Sequence, residues 1–373
     1  MQSKKIAIVA NTTWNIYNFR QNIIAKLLEE GHEVFVLAPI DAYIEYKEKY
    51  PKVHHLGLRT LDRDSTNPLK DILLIIELRR KYRRIKPDII LHYTHKPNIF
   101  GTMAAKLCNI KSISVITGLG YSFINKGIIN WVTKQLYKFT SAFNCIVIFE
   151  NEDDKQLFIE EGMVDANKAI SVKGCGVDLS YYTSMPNGLE HNEIVFTFIG
   201  RLLQDKGVRE FAEAAKVLQT EQQKLKFVML GDFDEENPST IDREDLLSWI
   251  NSDIIDYKGF VTDVRPYIAT SDCIVLPSYR EGMPRIVLEG MAMSKPIITT
   301  NTAGCRETVE EGKNGFLVEV KDSGSLVAGI KKFLQLSKLQ RQEMGLYGRQ
   351  KVMVEFESKI IAQKLYDIIS KFL

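Results

Sequence analysis

The sequence contains no hydrophobic run long enough to cross a membrane. A spanning helix needs about 20 mostly apolar residues in succession, and no stretch of the 373 residues approaches that length. The apolar run at the N-terminus extends only from Ile6 to Ala10. Because a secretory leader requires a longer apolar core, we interpret this run as a first β-strand and expect neither a spanning helix nor a leader.

Cysteine is scarce and scattered. The five cysteines show no C-x-x-C spacing, which argues against a zinc site, and their odd number argues against a complete disulfide framework. Several lie within or beside apolar runs, where cysteine behaves as a small core residue. The pattern fits a reducing, cytoplasmic compartment. The five are Cys108, Cys145, Cys175, Cys273 and Cys305.

One long segment lacks acidic residues altogether. There is none from Ile89 to Phe149, although the whole chain carries a net charge of only +2. Residues 59–138 hold 15 basic and 5 acidic residues, which gives this region a net charge of +10. A basic surface of this kind favours an anionic partner, which could be a nucleic acid, a membrane surface or a phosphorylated substrate.

Three further absences narrow the choice of partner and of activity. Basic residues are not interleaved with aromatic residues in the way typical of nucleic-acid binding. We therefore expect no nucleic-acid partner, with a non-enzymatic nucleotide- or RNA-binding protein as an alternative. The G-x-G-x-x-G fingerprint of nicotinamide dehydrogenases does not follow the first predicted strand, and no pair of carboxylates stands out as the nucleophile and acid of a glycosidase.

Strand-like apolar runs alternate with helical patterns along most of the chain. This alternation predicts an α/β fold with parallel sheets covered by helices on both faces. It stops in a turn-rich, polar stretch and then restarts. We therefore predict two doubly wound, Rossmann-like domains. The boundaries are 1–176 for the first domain, 177–192 for a linker, 193–355 for the second domain and 356–373 for a final helix.

The segment PSYREGMPRIVLEG, residues 277–290, carries the clearest chemical signal. A buried strand is predicted to end before it, and Pro284 suits the first turn of the helix that follows. Gly282 lets the backbone approach a ligand closely, and the helix N-terminus offers unpaired N–H groups to an anion. Glu281 and Glu289 are eight residues apart, so the two carboxylates can contact different parts of one ligand.

A second segment, FIGRLLQDKGVREF at residues 198–211, places cations at the end of another predicted strand. The strand ends at Gly200, and Arg201 and Lys206 flank the loop that leads to Gly207. Arginine can bind two phosphate oxygens at once, and lysine adds a mobile point charge. The pattern indicates a diphosphate site, although two solvated cations beside a helix would look the same.

Together, the two segments resemble the E-x7-E and G-R-x5-K-G motifs of the retaining GT-B glycosyltransferases of family 4. The resemblance implies two Rossmann-like domains that face each other across a cleft, with the last helix crossing back to the first domain. It also implies a UDP-sugar as the donor. In that family the first glutamate lies beside the donor hexose and the second beside the ribose, which assigns these roles to Glu281 and Glu289.

The same resemblance implies a donor site that needs neither a metal ion nor another cofactor. The cations stabilise the leaving diphosphate, and backbone N–H groups beside the first glutamate orient the hexose. The pattern Asp232-Phe233-Asp234 leaves a metal-dependent alternative open. The residues assigned to the donor side, with catalytic roles for the two cations and the first glutamate, are Gly200, Arg201, Lys206, Phe260, Glu281, Gly282, Met283, Pro284 and Glu289.

The N-terminal half departs from the family in one respect and resembles a subgroup in others. The loop after the first strand, residues 11–20, lacks the glycines that the family often has there. The segments HKPNIFG at 95–101 and VITGLGYSF at 115–123 resemble those of bacterial enzymes that glycosylate undecaprenyl-diphosphate sugars. This implies a catalytic role for His95, which would steady the sugar. The residues assigned to the acceptor are Asn15, Tyr17, Arg20, Gly118 and Gly120.

The subgroup resemblance also predicts where the protein acts. Its acceptor would be a polyprenyl-diphosphate-linked sugar, so we expect a cytoplasmic protein bound peripherally to the inner face of the cell membrane. The basic segment 77–86 and the predicted helix 127–139 would contact anionic lipid, although the apolar face of that helix could instead pack on the sheet. A UDP-sugar 2-epimerase of the same fold is the alternative enzyme.

Overall fold

The computed structural model contains two compact units. The first comprises Met1–Cys175 together with Ser358–Leu373, and the second comprises Gly176–Glu357. The residues that the structure describes are 2–63, 65, 67–120, 123, 127–184, 193–221 and 224–373.

The predicted linker does not form a separate segment where it can be followed. Residues 177–184 belong to the second unit, and Val177 and Tyr182 are buried in its core. Residues 185–192 lie outside the described residues. The turn-rich composition of this stretch therefore reflects an irregular path over the second unit, at least as far as residue 184.

Within the described residues, the first unit is built on a parallel sheet of seven strands. The strands are Lys5–Val9 (β1), Glu33–Ala38 (β2), His54–Gly57 (β3), Ile89–Tyr93 (β4), Lys111–Ile116 (β5), Ile146–Phe149 (β6) and Ala169–Ser171 (β7). Their order across the sheet is β3-β2-β1-β4-β5-β6-β7. All five residues of β4 are buried, as expected for a central strand covered on both faces.

Helices connect these strands and cover both faces of the sheet. They are Thr13–Phe19 (α1), Gln21–Glu29 (α2), Tyr46–Lys49 (α3), Pro68–Ile85 (α4), Thr102–Lys106 (α5), Ile128–Ser141 (α6) and Glu152–Glu160 (α7). A π-helical turn at Pro97–Gly101 leads into α5. The start of α4 is explained by the sequence, because the Asn67 side chain accepts from the Leu69 N–H and Pro68 occupies the first turn.

The last helix of the chain, Ser358–Ser370, packs in the first unit. Ile361 and Ile369 are buried in the same apolar core as β1 and β2. The Asn22 side chain in α2 donates to the carbonyl oxygens of Cys175, over 2.7 Å, and Ser358, over 3.3 Å. These contacts join the two separate chain segments that make up the unit.

The second unit contains six parallel strands among its described residues. They are Ile194–Ile199 (β8), Leu225–Leu230 (β9), Asp256–Tyr257 (β10), Cys273–Leu276 (β11), Ile297–Thr300 (β12) and Gly315–Val318 (β13), in the order β10-β9-β8-β11-β12-β13. The helices are Val208–Glu221 (α8), Arg243–Asn251 (α9), Arg265–Thr270 (α10), Arg285–Ala292 (α11), Ser323–Leu334 (α12) and Lys338–Glu355 (α13).

Both sheets have the doubly wound topology of a Rossmann-like domain, so the predicted fold class is confirmed. In the first sheet β1 lies between β2 and β4, and in the second β8 lies between β9 and β11. The chain reverses its direction of winding at these two positions. Ligands of such sheets bind beyond the carboxyl ends of the strands at the point of reversal, and the segments that carry Gly200 and Glu281 follow β8 and β11 at the second of these positions.

Candidate active site

Glycine allows two loops of the second unit to touch at the carboxyl edge of its sheet. A Cβ atom on Gly231, after β9, would lie 1.7 Å from the carbonyl oxygen of Gly200, after β8. Gly231 also has a φ of +146°, which residues with side chains rarely adopt. Gly200 therefore lies at the predicted edge, directly against the neighbouring loop.

The loop after β8 also contacts the loop after β11. A Cβ atom on Gly207, whose φ is +76°, would lie 2.1 Å from the carbonyl oxygen of Pro277. The Tyr279 N–H donates to the Asp205 carbonyl over 2.8 Å, and the Ser278 hydroxyl donates to the same oxygen over 3.0 Å. These contacts fasten the two motifs identified in the sequence to one another.

The consequence is an ion pair between the motifs. Lys206 Nζ lies 2.6 Å from Oε1 of Glu281, and the two side chains are only 22% and 12% exposed. Partial burial reduces solvent screening, so this pair attracts more strongly than a fully exposed one. The structure therefore brings together a lysine and a glutamate that are 75 residues apart in the sequence.

The loop after β12 also holds the backbone of Glu281 in place. The Glu281 N–H donates to the Ala303 carbonyl over 3.1 Å. A Cβ atom on Gly304 would lie 2.6 Å from the Glu281 carbonyl oxygen and 2.5 Å from that of Gly282. Because a larger residue at 304 would displace this backbone, glycine there sets the position of the first glutamate.

Helix α11 begins one residue later than the sequence suggested. Pro284 has an extended ψ of 102° and caps the helix, and Arg285 is the first helical residue. Gly282 and Pro284 are buried, and Met283 is half-buried. The segment from Gly282 to Arg285 thus forms a short connection between the first glutamate and the helix that carries the second.

Arg201 pairs with the second residue of the Asp-x-Asp pattern. Its guanidinium contacts Asp234, and the arginine side chain is 49% exposed. Asp232 accepts a hydrogen bond from the Phe233 N–H over 2.8 Å. Across the described part of the chain, no group of three or more His, Cys, Asp or Glu residues is placed to hold a metal ion.

Phe260 lies on a loop that is tied to the same edge. The Gly231 N–H donates to the Gly259 carbonyl over 3.0 Å, and the Tyr257 hydroxyl donates to the Gly231 carbonyl over 2.8 Å. The Phe260 ring is 59% exposed. An exposed aromatic ring beside a fixed backbone is suited to contact a planar ligand group.

Glu289 is buried in α11 and has two partners that the sequence analysis did not assign. Its Oε1 accepts from the Tyr182 hydroxyl and from Nε of Arg285, each over 2.7 Å. Burial raises the pKa of the Glu289 carboxyl, and the Arg285 charge opposes that rise. The four-residue spacing of Arg285 and Glu289 on a helix could have predicted one contact, but Tyr182 lay in the predicted linker.

In the first unit, His95 adjoins the glycine loop that the sequence singled out. Its Nδ1 lies 2.9 Å from the Tyr137 hydroxyl, and a Cβ atom on Gly120 would lie 3.6 Å from its Nε2. Gly118 and Gly120 both have positive φ, at 112° and 60°. Burial lowers the pKa of His95 to about 4, so the imidazole is neutral near pH 7.

Arg20, which the sequence analysis assigned to the acceptor, is enclosed by other protein groups in the structure. The side chain is buried, its Nη1 lies 3.4 Å from Glu150, and its Nε donates to Oδ1 of Asn15 over 3.2 Å. The guanidinium also stacks on the Tyr93 ring, 4.1 Å from its centre. Because these contacts enclose the charge, we reassign Arg20 and Asn15 to supporting the loop.

Tyr17 remains accessible on the same loop. It is 40% exposed and its ring centre lies 5.4 Å from that of Tyr43.

Glu150, which the sequence analysis did not assign, could have been noticed as the acidic residue that ends the acid-free segment directly after β6. Burial raises the pKa of its carboxyl, and Arg20 opposes that rise.

Comparison with known proteins identifies the family. The family described as "Glycosyl transferases group 1" matches residues 184–351, and the family described as "Glycosyl transferase 4-like" matches residues 5–151. The N,N'-diacetylbacillosaminyl-diphospho-undecaprenol alpha-1,3-N-acetylgalactosaminyltransferase of Campylobacter jejuni is 30% identical over 98% of this chain and 99% of its own. The chain therefore belongs to the glycosyltransferase family of that enzyme.

Two further similarities of the glycosyltransferase support this assignment, one in sequence and one in fold. The UDP-Gal:alpha-D-GlcNAc-diphosphoundecaprenol alpha-1,3-galactosyltransferase of Escherichia coli is 30% identical over 70% of each chain. The structure of HepE from Anabaena in complex with UDP and glucose has a TM-score of 0.81 and 18% identity, covering 98% of this chain and 99% of that one. The predictions of family, enzyme class and GT-B fold are therefore confirmed.

Proposed function

We propose that the glycosyltransferase moves a hexose or N-acetylhexosamine from a UDP-sugar to a polyprenyl-diphosphate-linked sugar, with retention of anomeric configuration, in bacterial surface or glycoprotein glycan synthesis. The observation that carries the proposal is the ion pair between Lys206 and Glu281 at the carboxyl edge of the second sheet. Relatives whose names specify diphosphoundecaprenol-linked acceptors support the choice of acceptor.

The second unit supplies the donor contacts in this proposal. Arg201 and Lys206 bind the diphosphate in place of their present carboxylate partners, Asp234 and Glu281. Glu281 and the N–H groups near Gly282 and Met283 orient the hexose. Pro284 caps the helix, and Gly200 allows the backbone to approach the phosphates. Phe260 contacts the base, and Glu289 binds the ribose hydroxyls.

The first unit supplies the acceptor contacts. His95 is neutral near pH 7 because of its lowered pKa, so it would contact the sugar without adding charge. Gly118 and Gly120 let the backbone approach the acceptor sugar. Tyr17 offers an exposed ring on which a sugar face can pack.

The reaction we propose is a front-face substitution. The bond between the anomeric carbon and the β-phosphate oxygen breaks, and an acceptor hydroxyl forms the new bond on the same face. The proton of that hydroxyl passes to the departing phosphate oxygen. The chemical step needs the developing phosphate charge to be stabilised, and the two cations Arg201 and Lys206 can do this electrostatically.

The test of the proposal is a product analysis with a panel of UDP-sugars and polyprenyl-diphosphate-linked sugars. We expect one pairing to yield a disaccharide-diphosphate lipid and UDP, with the anomeric configuration of the donor retained by NMR. The control omits the acceptor. A UDP-sugar with inverted C2 configuration in that control would favour the epimerase alternative, and no transfer from any UDP-sugar would refute the proposed donor.

We also propose that the first unit binds to an anionic membrane surface. No helix in the described ranges has the length and hydrophobicity of a membrane span, so contact would be at the surface. Helix α6 exposes Ile128, Trp131 and Phe139 at 82%, 63% and 58%, and its inward face is formed by Tyr137 and Thr140. The exposed apolar residues thus do not pack on the sheet.

Helix α4 offers a second amphipathic surface of the same unit. Four apolar side chains are exposed at helical spacing in its first half, and basic side chains are exposed in its second half. Apolar and cationic groups on a surface helix favour binding to anionic lipid. These residues are Leu69, Ile72, Leu73, Ile76, Arg80, Arg83 and Arg84.

Vesicle sedimentation tests this surface. We expect binding that requires anionic lipid and weakens at high salt, since each cation near such a surface contributes about 1 kcal/mol. Replacing Arg80, Arg83 and Arg84 with Gln, or Trp131 with Ser, should release the protein. Lys134 in α6 is a poor choice for substitution because it pairs with Glu161 over 2.8 Å. Lys126, just before the predicted helix, lies outside the described residues.

A matched control is available on the second unit. Leu346 is an exposed apolar residue of α13, at 53%, and Leu346→Ser should leave vesicle binding unchanged. The membrane proposal would be contradicted if this variant lost vesicle binding as strongly as the others, or if the wild-type protein did not bind anionic vesicles. Neither result would affect the proposed reaction.

A further inference from the structure

The carboxylate of Glu289 is held asymmetrically. Both of its hydrogen bonds, from the Tyr182 hydroxyl and from Nε of Arg285, fall on Oε1 over 2.7 Å. Within the described residues Oε2 takes no hydrogen bond, and it is not enclosed. The side chain keeps 9% exposure. One oxygen is therefore fixed by the protein while the other is left to a ligand.

The segment that delivers Tyr182 is itself anchored to the second unit. The Val177 N–H donates to the Phe356 carbonyl over 2.9 Å. Nη1 of Arg349 donates to the Tyr182 carbonyl over 3.4 Å. The tyrosine side chain is only 6% exposed, so its hydroxyl has little freedom to leave the carboxylate.

We propose that Tyr182 and Arg285 are positioning residues that hold Glu289 so that Oε2 receives the ribose hydroxyls of the donor nucleotide. This inference rests on the proposed function, because it takes the ribose of a UDP-sugar as the group that Glu289 binds. It adds two residues that select a ribonucleotide by acting through the glutamate, without touching the ligand themselves.

Physical chemistry explains why such support is needed. The terminal torsion of a glutamate is broad and has no strong preferred angle, so an unsupported carboxylate would rotate. Two donors on Oε1 stop that rotation. The Arg285 charge also favours the ionised form of Glu289 and so opposes the effect of burial, and hydrogen bonds to a charged acceptor are stronger than those to a neutral one.

The test compares affinity for UDP with affinity for its analogue that lacks both ribose hydroxyls, measured by calorimetry. The wild-type protein should prefer UDP by at least about tenfold. Tyr182→Phe keeps the ring and removes the hydroxyl, and we expect it to reduce this preference by roughly 3- to 10-fold. Tyr181→Phe is the matched control, because the Tyr181 ring stacks on Arg265 and should leave the preference unchanged.

The pH dependence of the preference for UDP in Arg285→Gln is a second measurement, which a purely structural role of Arg285 would not change. The groups that act on Glu289 are Arg285 on its own helix and Tyr182 from the anchored segment. Loss of the arginine charge raises the pKa of Glu289 further, so the carboxylate becomes protonated at a higher pH. As the pH is lowered, the preference for UDP should therefore be lost at a higher pH than in the wild-type protein. Taking the ratio of the two affinities cancels the titration of the terminal phosphate, whose pKa is near 6.

The outcomes separate the inference from the proposed function. A wild-type protein that does not bind UDP overturns both. A wild-type protein that prefers UDP, with the same preference in Tyr182→Phe and Arg285→Gln, overturns this inference alone. Melting temperatures are measured for each variant, and because the two substitutions lie on different elements, a folding defect in one leaves the other to decide.

Discussion

Replacement of Lys206 with alanine is expected to lower kcat by about 10²- to 10³-fold, while the wild-type enzyme stays active in EDTA. The ammonium group lies at the carboxyl edge of the second sheet, 2.6 Å from Glu281. In our proposal it moves onto the β-phosphate as negative charge develops there. Its effect is therefore larger in the transition state than in the bound donor, and kcat should fall more than donor affinity.

Steady-state kinetics with the donor and acceptor found by the product analysis would measure this effect. Lys216→Ala is the matched control, because Lys216 is an exposed lysine of α8 in the same unit, and its removal should leave kcat unchanged. Complete loss of activity in EDTA that is restored by a divalent metal would contradict the metal-free part of the proposal. An unchanged kcat in Lys206→Ala would contradict the phosphate contact.

The two motifs of the second unit could be recognised in the sequence because each motif is local. The segment from Gly200 to Gly207 joins the end of a strand to the start of a helix, and so does the segment from Pro277 to Glu289. In a doubly wound sheet, such junctions gather at one edge. Local patterns combined with this topological rule were therefore enough to assign Lys206 and Glu281 to the same edge of the second sheet.

The supporting contacts could not be predicted in this way. Tyr182 and Glu289 are 107 residues apart, and Arg20 and Glu150 are 130 residues apart. No helix or strand periodicity links such positions, because their contact depends on how several elements pack. A polar residue near a ligand edge, such as Arg20, looks the same in the sequence whether it faces the ligand or pairs with a buried acid.

His92 illustrates the same limit in the first unit. It lies three residues before His95 in the sequence, and that spacing alone could not place either ring. In the structure, His92 is fully buried between the Tyr82 hydroxyl, 3.0 Å from Nε2, and the Thr102 hydroxyl, 3.2 Å from Nδ1. Burial lowers its pKa to about 3. His92 is thus part of the core, whereas His95 lies beside the glycine loop.

The role of the surface helices was also ambiguous from the sequence. The apolar face of α6 could have packed on the sheet, and only the structure shows that Ile128 and Trp131 stay exposed. The spacing of apolar residues along a helix indicates that it has an apolar face, but it does not distinguish a face covered by protein from one available to lipid.

Glu281→Gln is expected to lower kcat by about 10- to 100-fold, since a hydrogen bond that involves a charged group contributes roughly 1.5–3 kcal/mol. KM for the donor should change less, because the diphosphate and ribose contacts remain. Glu213→Gln, at an exposed position of α8, is the control. A decrease of less than about twofold in kcat would indicate that Glu281 does not contact the reacting hexose.

The ion pair makes a sharper prediction about both residues together. Side chains in direct contact have effects that do not add. In Lys206→Ala, the Glu281 carboxylate no longer has the Lys206 ammonium group beside it and still faces a diphosphate of the same sign, so removing its charge should then cost less. Glu281→Gln is therefore expected to lower kcat less in the Lys206→Ala background than in the wild-type enzyme. Equal factors in the two backgrounds would contradict this coupling and mean that the two side chains act independently in the transition state.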